Sequence, residues 1–228
     1  MSLKTFYANG AGDALIDPTN YPQSIVEFLD FEREILAQHM SDKQMLIEVG
    51  CMHGRYLEWA LQNGASYLGF DVVDRYVAEG NARIASAEAD PQKHRILLGA
   101  SEQLHEIIPG LFGRLPDRAL VFFPFNSIGN MDLLEPVVLS LSKLNLPFLI
   151  STYRTDQQTN TERLAYYQNS GFGSIMQTVS EAGVCFSSPN GLCSMAYHPL
   201  FLHETFARHH VDAQMQVKGG IGIWYFGL

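Results

Sequence analysis

The chain has 228 residues, 46% apolar and 17% charged, a globular composition that excludes a disordered chain and suffices for one sizeable core. Fifteen Lys and Arg against 24 Asp and Glu leave a net charge of −9, which repels phosphate backbones and anionic lipid. The basic residues are scattered along the sequence, with Arg154 and Arg163 isolated, so no basic patch is expected and neither a nucleic acid nor a membrane surface is expected as partner.

Three cysteines, Cys51, Cys185 and Cys193, are too few for a disulfide framework and point to a reducing compartment. No apolar signal region follows Met1-Ser2-Leu3, and no stretch approaches the roughly 18 apolar residues of a membrane span. A cytoplasmic protein is expected.

Residues 1–23, rich in Gly, Asn, Asp and Pro, read as an irregular N-terminal extension. Ser24 is the expected cap of a helix running to about Met40, with Ile25, Phe28, Leu29, Ile35 and Leu36 at helical spacing. Strands and helices then alternate. Gln44 to Val49 is a strand, Tyr56 to Asn63 a helix closed by Gly64, Tyr67 to Val72 a strand and Arg75 to Ala89 a helix. Arg95 to Leu98 and Ser101 to Ile108 form the next pair, then Leu120 to Phe123 with Asp132 to Lys143, and Phe148 to Thr152 with Thr159 to Asn169. After a helix at Leu200 to His209, strands at Val211 to Lys218 and Ile221 to Phe226 meet at Gly219-Gly220, a hairpin signal. The pattern predicts an α/β fold: a doubly wound, mostly parallel seven-stranded sheet ending in an antiparallel hairpin. A single domain over 24–228 is expected, with 170–199, rich in Ser, Gly and aromatics, as a substrate lid.

The chemistry-bearing stretch is Leu46-Ile47-Glu48-Val49-Gly50-Cys51-Met52-His53-Gly54-Arg55, followed one strand later by Gly69-Phe70-Asp71-Val72. Glycine at a tight strand-to-helix turn lets backbone approach a ligand, and an acid at the next strand tip accepts hydrogen bonds from ribose hydroxyls. Asp71 lies 21 residues after Gly50, the spacing of one βαβ step. Glu48-Val49-Gly50-Cys51 with Gly54 resembles the first motif of class I (Rossmann-like) S-adenosylmethionine-dependent methyltransferases, and Gly69-Phe70-Asp71 resembles their second. Leu98-Gly99-Ala100-Ser101-Glu102 resembles the third, and Phe122 to Ile128 falls where the family places residues near the transferable methyl. The sequence departs from the pattern at Met52, the family's central glycine, and at Ala100, its usual acid.

The resemblance implies S-adenosyl-L-methionine as cofactor and assigns its site. Glu48, beneath the loop, would reach the amino group directly or through water; Gly50, Cys51, Met52, His53 and Gly54 would line the amino-acid end. Asp71 would take the ribose, Val72, Ala100 and Ser101 the adenine, and Phe123 and Asn126 the sulfonium. Asn126, Tyr153, His198 and His203 are the candidate bases or substrate contacts. Cys51 reads as packing, since nothing nearby activates its thiol. His209-His210 reads as a solvated pair with no metal-ligand spacing around it, and no metal is expected. Methyl transfer to an O, N or C nucleophile of a small-molecule acceptor is the expected activity, and a homodimer is a candidate assembly. Two alternatives stand beside it: a nicotinamide-dependent oxidoreductase, which Asp71 would equally serve, and a non-catalytic nucleoside-binding member of the same fold.

Overall fold

The structure, a computed structural model, describes residues 3–113 and 118–227; Met1, Ser2 and Leu228, the ends of the two expected segments, lie outside the described residues. The apolar run before Gly50 becomes β1 (Met45–Val49), the strand around which the others assemble. On either side of it in sequence lie α1 (Leu3–Ala8), α2 (Gln23–His39), α3 (Leu57–Gln62), β2 (Ser66–Asp71), α4 (Asp74–Ser86), β3 (His94–Leu98) and α5 (Leu104–Phe112). β4 (Ala119–Phe123), α6 (Leu134–Leu144), β5 (Phe148–Tyr153) and α7 (Gln157–Asn169) continue the alternation. The chain then makes β6 (Met176–Val179), β7 (Gly183–Ser187), β8 (Cys193–Tyr197), α8 (Pro199–Arg208), β9 (Gln214–Lys218) and β10 (Gly222–Gly227).

Seven strands form one sheet in the order β3-β2-β1-β4-β5-β10-β9. The pairs from β3 to β5 are parallel, and β10 runs antiparallel to both its neighbours. This is the expected fold class. Side chains alternate across a strand, so Leu46, Tyr67, Phe122 and Trp224 pack under α2, α3, α4 and α7, while Ile47, Phe70, Val121 and Ile150 pack under α5, α6 and α8. With both faces covered, the inner strands are buried along their length rather than at alternate residues.

Several boundaries differ from the sequence reading. The segment before residue 24 is not irregular: besides α1 it makes 3₁₀ turns at Asp13–Leu15 and Pro18–Asn20. Phe6 and Leu15 are buried in the core, and the Leu15 carbonyl accepts from the Tyr166 hydroxyl. These contacts come from α7, far away in sequence, and local composition does not reveal them. Ser24 is not the cap, because α2 starts after Pro22 and the Ser24 hydroxyl instead donates to Glu162 at 2.7 Å. The helix expected at 101–108 is a 3₁₀ turn followed by α5, which ends on left-handed Gly113. Residues 170–199 hold a separate antiparallel sheet, β6-β7-β8, in which the Cys185 and Cys193 sulfurs lie 3.8 Å apart as free thiols.

One polar group on α2 is fully buried. Glu32 accepts from the Phe125 amide at 2.6 Å and from the Tyr56 hydroxyl, tying α2 to the chain beyond β4 and to the start of α3. Phe125 has φ +45°, a left-handed conformation that costs a non-glycine residue about 1–2 kcal/mol and so needs an external hold. Glu32→Ala strands a buried amide and a buried phenol. We expect a loss of about 3 kcal/mol, seen calorimetrically as a melting temperature lower by roughly 6–12 °C; Glu32→Gln, which keeps an acceptor, should lose less.

Candidate functional site

The strand order reverses between β1 and β4, and at such a switch point the loops leaving neighbouring strands part to leave a crevice. Here the crevice is a cavity of about 560 Å³ walled at the C-terminal ends of β1 to β5 by Gly50, Asp71, Ala100, Asn126 and Tyr153. Its volume suits a nucleoside-sized ligand with room beyond it.

The first wall is the turn after β1. Gly50 takes φ +71°, and a Cβ there would sit 3.0 Å from that of Ser127, so only glycine fits facing the β4 loop. The Gly50 and Cys51 amides donate to the Phe70 carbonyl at 2.9 and 3.0 Å, which fixes the turn against β2. Met52 follows at φ +52° and donates its amide to Asp71 Oδ2 at 2.7 Å, while the Val73 amide donates to Oδ1 at 2.9 Å. Each Asp71 oxygen therefore keeps lone pairs free for hydroxyl donors. Burial raises the Asp71 carboxyl above the usual carboxylate range, opposed by these amides. Behind the turn, a Cβ on Gly80 of α4 would lie 3.1 Å from the His53 carbonyl carbon, so that helix presses directly on the turn.

The second wall is the turn after β4. Asn126 is left-handed at φ +59°, and its side chain is fully engaged: Oδ1 accepts from Thr152, and Nδ2 donates to Ser194 Oγ at 3.1 Å and to the Met195 carbonyl at 3.0 Å. It thus clamps β8 onto the main sheet. Ser194 Oγ also receives the Tyr167 hydroxyl at 2.9 Å. Tyr153, on the same wall, is held neutral because burial pushes its hydroxyl well above the usual phenol range; it is a hydrogen-bond donor, not a base.

Of the residues singled out in the sequence, Gly50, Met52, Asp71, Val72, Ala100, Ser101, Asn126 and Tyr153 line this cavity together. The others stand off its wall. Glu48 points from β1 into the helical layer, where one oxygen accepts from the Tyr56 amide at 3.0 Å and the Tyr67 hydroxyl and the other is buried without a partner. Cys51 is buried behind the turn, and burial pushes its thiol up, so it packs. His53 faces a neighbouring cleft, and Gly54 packs against Ile96 and Leu57. Phe123 lies in the core cluster under α5 and α6. His198 bonds to Thr155 at 2.8 Å, and His203 sits on α8 against Tyr225, both away from the cavity. Phe123 and the two histidines fall away because the strand and helix phase that directs a side chain is set by packing.

The wall also holds Tyr7 from α1, Tyr166, Tyr167 and Ser194, to which the sequence reading gave no place in the site, and Arg55 and Ser127, which lie in its motif stretches without an individual role. The Ser127 hydroxyl is buried without a partner, opposite Gly50. Arg55 directly follows Gly54 and was within reach of motif reading. Tyr7 was not, because only the fold brings α1 over the strand tips. Among the described residues, no group of three or more His, Cys, Asp or Glu is placed to hold a metal, and no helix is long and apolar enough to cross a membrane.

No protein-family model matches the sequence, and no curated protein matches it. Solved structures do resemble it. The PH0226 protein from Pyrococcus horikoshii OT3 superposes with a TM-score of 0.66 at 12% identity, over 92% of this chain and 94% of that one. The magnesium protoporphyrin IX methyltransferase ChlM from Synechocystis PCC 6803, solved with bound SAH, gives 0.63 at 10% identity over 99% and 98%. The glycopeptide N-methyltransferase MtfA complexed with sinefungin gives 0.56 at 12% identity over 86% and 92%. Such identities speak for the fold, which is the class I S-adenosylmethionine-dependent methyltransferase fold.

Burial pushes the Glu48 carboxyl up to about 7 from 4.5, against the hydrogen bonds from Tyr67 and Tyr56. Its folded value exceeds its unfolded one, so between those pH values the native state holds the extra proton and stability falls as pH rises. The loss is complete above the folded value and amounts to about 3 kcal/mol from this group. Denaturant unfolding at pH 4.5 and 7.5 should therefore show a steeper decline for the wild type than for Glu48→Gln, which cannot ionise. Equal declines would mean that Glu48 ionises in its ordinary range.

Proposed function

We propose that this chain, built on the class I methyltransferase fold, binds S-adenosyl-L-methionine and transfers its methyl group to a small-molecule acceptor. The observation that carries the proposal is Asp71: a carboxylate at the tip of β2, fixed by the Met52 and Val73 amides, facing the cavity with acceptor capacity left for a ribose diol. The remaining wall fits the rest of the cofactor. Val72 lies 37% exposed on it as an apolar flank for an adenine ring, with Ala100 and Ser101 nearby. The unpartnered Ser127 hydroxyl faces Gly50, where the amino-acid end would lie. Phe125 and Tyr153 line the same wall as the aromatic neighbours a sulfonium would have.

When bound, the cofactor supplies an electrophilic methyl on a sulfonium that brings its own leaving group. The chain's residues have to hold the acceptor in line with that methyl and keep water out. Tyr7, Tyr166 and Tyr167 shape the acceptor end, with β8 and α1 closing over it. Burial raises the Tyr7 and Tyr166 hydroxyls, so both stay protonated donors. The two histidines considered as bases lie elsewhere; the carboxylates of Glu102 and Asp132 line the wall and are the groups there that could take a proton from an acceptor. Asn126 acts as a positioning residue, its amide committed to Thr152, Ser194 and Met195. A dinucleotide is poorly served, because Met52 places a side chain where a pyrophosphate needs bare backbone.

Calorimetric titration tests the reading. S-adenosylhomocysteine should bind in the micromolar range, NAD should give no comparable heat, and Asp71→Ala should weaken the nucleoside at least about tenfold, a loss of roughly 1.4 kcal/mol, while melting as a folded protein. Tight NAD binding without a response to the sulfur nucleosides would overturn it.

A further inference from the structure

Beside the main cavity lies a second cleft of about 370 Å³, and Ile16, Met52 and Arg55 line both. The Met52 side chain thus stands at the boundary between the two spaces. The second cleft carries three guanidinium groups, from Arg33 on α2, Arg55 before α3 and Arg83 on α4, together with His53, and no carboxylate among its lining residues. The sequence reading expected no basic patch in this acidic chain; the fold assembles one from three distant arginines.

These charges are only partly answered within the protein. Arg55 donates to the Tyr21 hydroxyl at 3.3 Å and lies 4.4 Å over the Phe125 ring. Arg83 donates to the His53 and Gly54 carbonyls at 2.9 and 3.2 Å. Among the described residues neither has a carboxylate at ion-pair distance. Arg33 pairs with Asp30, three residues earlier on the solvent side of α2, where both are about half exposed and such a pair is weak. The nearby acids Asp13 and Glu79 are committed to Arg75. His53 Nδ1 is buried without a hydrogen-bond partner.

We propose that this cleft is a binding site for an anionic group, a carboxylate or phosphate. Guanidinium forks match the oxygens of both anions, and three arginines from different elements lining one cleft favour a multiply charged anion over dispersed counterions. The shared wall at Met52 and Arg55 allows two sources: an anionic tail of the acceptor whose reactive end lies in the main cavity, or a separate anionic ligand. Only the first source rests on the methyl-transfer reading.

The test titrates the full chain at low ionic strength with pyrophosphate and, separately, citrate, comparing wild type with the Arg33→Gln/Arg83→Gln double variant. Both positions lie outside the main cavity, but Arg83 also donates to the His53 and Gly54 carbonyls of the turn after β1, so the Arg33→Gln single variant is titrated alongside. Its S-adenosylhomocysteine affinity, and the melting temperature of both variants, serve as the controls for an intact fold. The expected result is one saturable anion site per chain, weakened in the Arg33→Gln variant with nucleoside affinity unchanged, and weakened at least tenfold in the double variant while it still melts as a folded protein. Absence of saturable binding, or equal binding by the wild type and the double variant, overturns the site. An acceptor panel pairing carboxylic acids with their neutral amides then separates the sources. A tenfold rise in KM confined to the acids in the double variant identifies the acceptor's tail, and lost anion binding with unchanged turnover identifies a separate ligand. If no acceptor turns over, methyl transfer fails while the anion titration still decides the cleft.

Discussion

The site depends on one hydrogen bond, from the Met52 amide to the Asp71 carboxylate at 2.7 Å. It joins the turn after β1 to the tip of β2, so the backbone approach at Gly50 and the acid that would read a ribose are set by the same contact. Met52 adopts a left-handed backbone, which in a residue with a side chain persists only where the surroundings enforce it, and this bond is part of that enforcement. The side chain that replaces the family's glycine is thereby carried to the edge of the cavity, where it borders the arginine-lined cleft.

Beneath this contact lies a polar scaffold in an otherwise apolar layer. Glu48 takes the Tyr56 amide and the Tyr67 hydroxyl, and Glu32 takes the Tyr56 hydroxyl and the Phe125 amide. Tyr56 thus links two buried acids, and through them the turns after β1 and β4 are braced from below. Buried polar groups are costly unless satisfied, and when satisfied they fix one geometry. An apolar core alone would hold the strands together without dictating where Phe125 and Met52 turn. Glu48, which motif reading places at the cofactor, contributes in this structure from underneath.

The sheet was legible in the sequence because its strands are buried on both faces and its helices repeat at 3.6 residues; the reversed last strand was announced by Gly219-Gly220. Gly50, Asp71 and Ser101 were legible because strand tips in a doubly wound sheet converge on one crevice. The rest was hidden for physical reasons. Tyr7 and Leu15 reach the site through contacts with α4 and α7 that local composition does not encode. The clustering of Arg33, Arg55 and Arg83 is a property of helix placement. His198 and His203 were attractive as residue types, but Thr155 and Tyr225 claim them elsewhere.

The most direct test is a crystal structure of the protein with S-adenosylhomocysteine. The account predicts both ribose hydroxyls within about 3 Å of Asp71, the Met52 amide still bonded to the same carboxylate, and the amino-acid end running past Gly50 toward Ser127. A ligand seated elsewhere, or an Asp71 side chain turned away from it, would contradict the claim that two neighbouring strand tips make one adenosyl site.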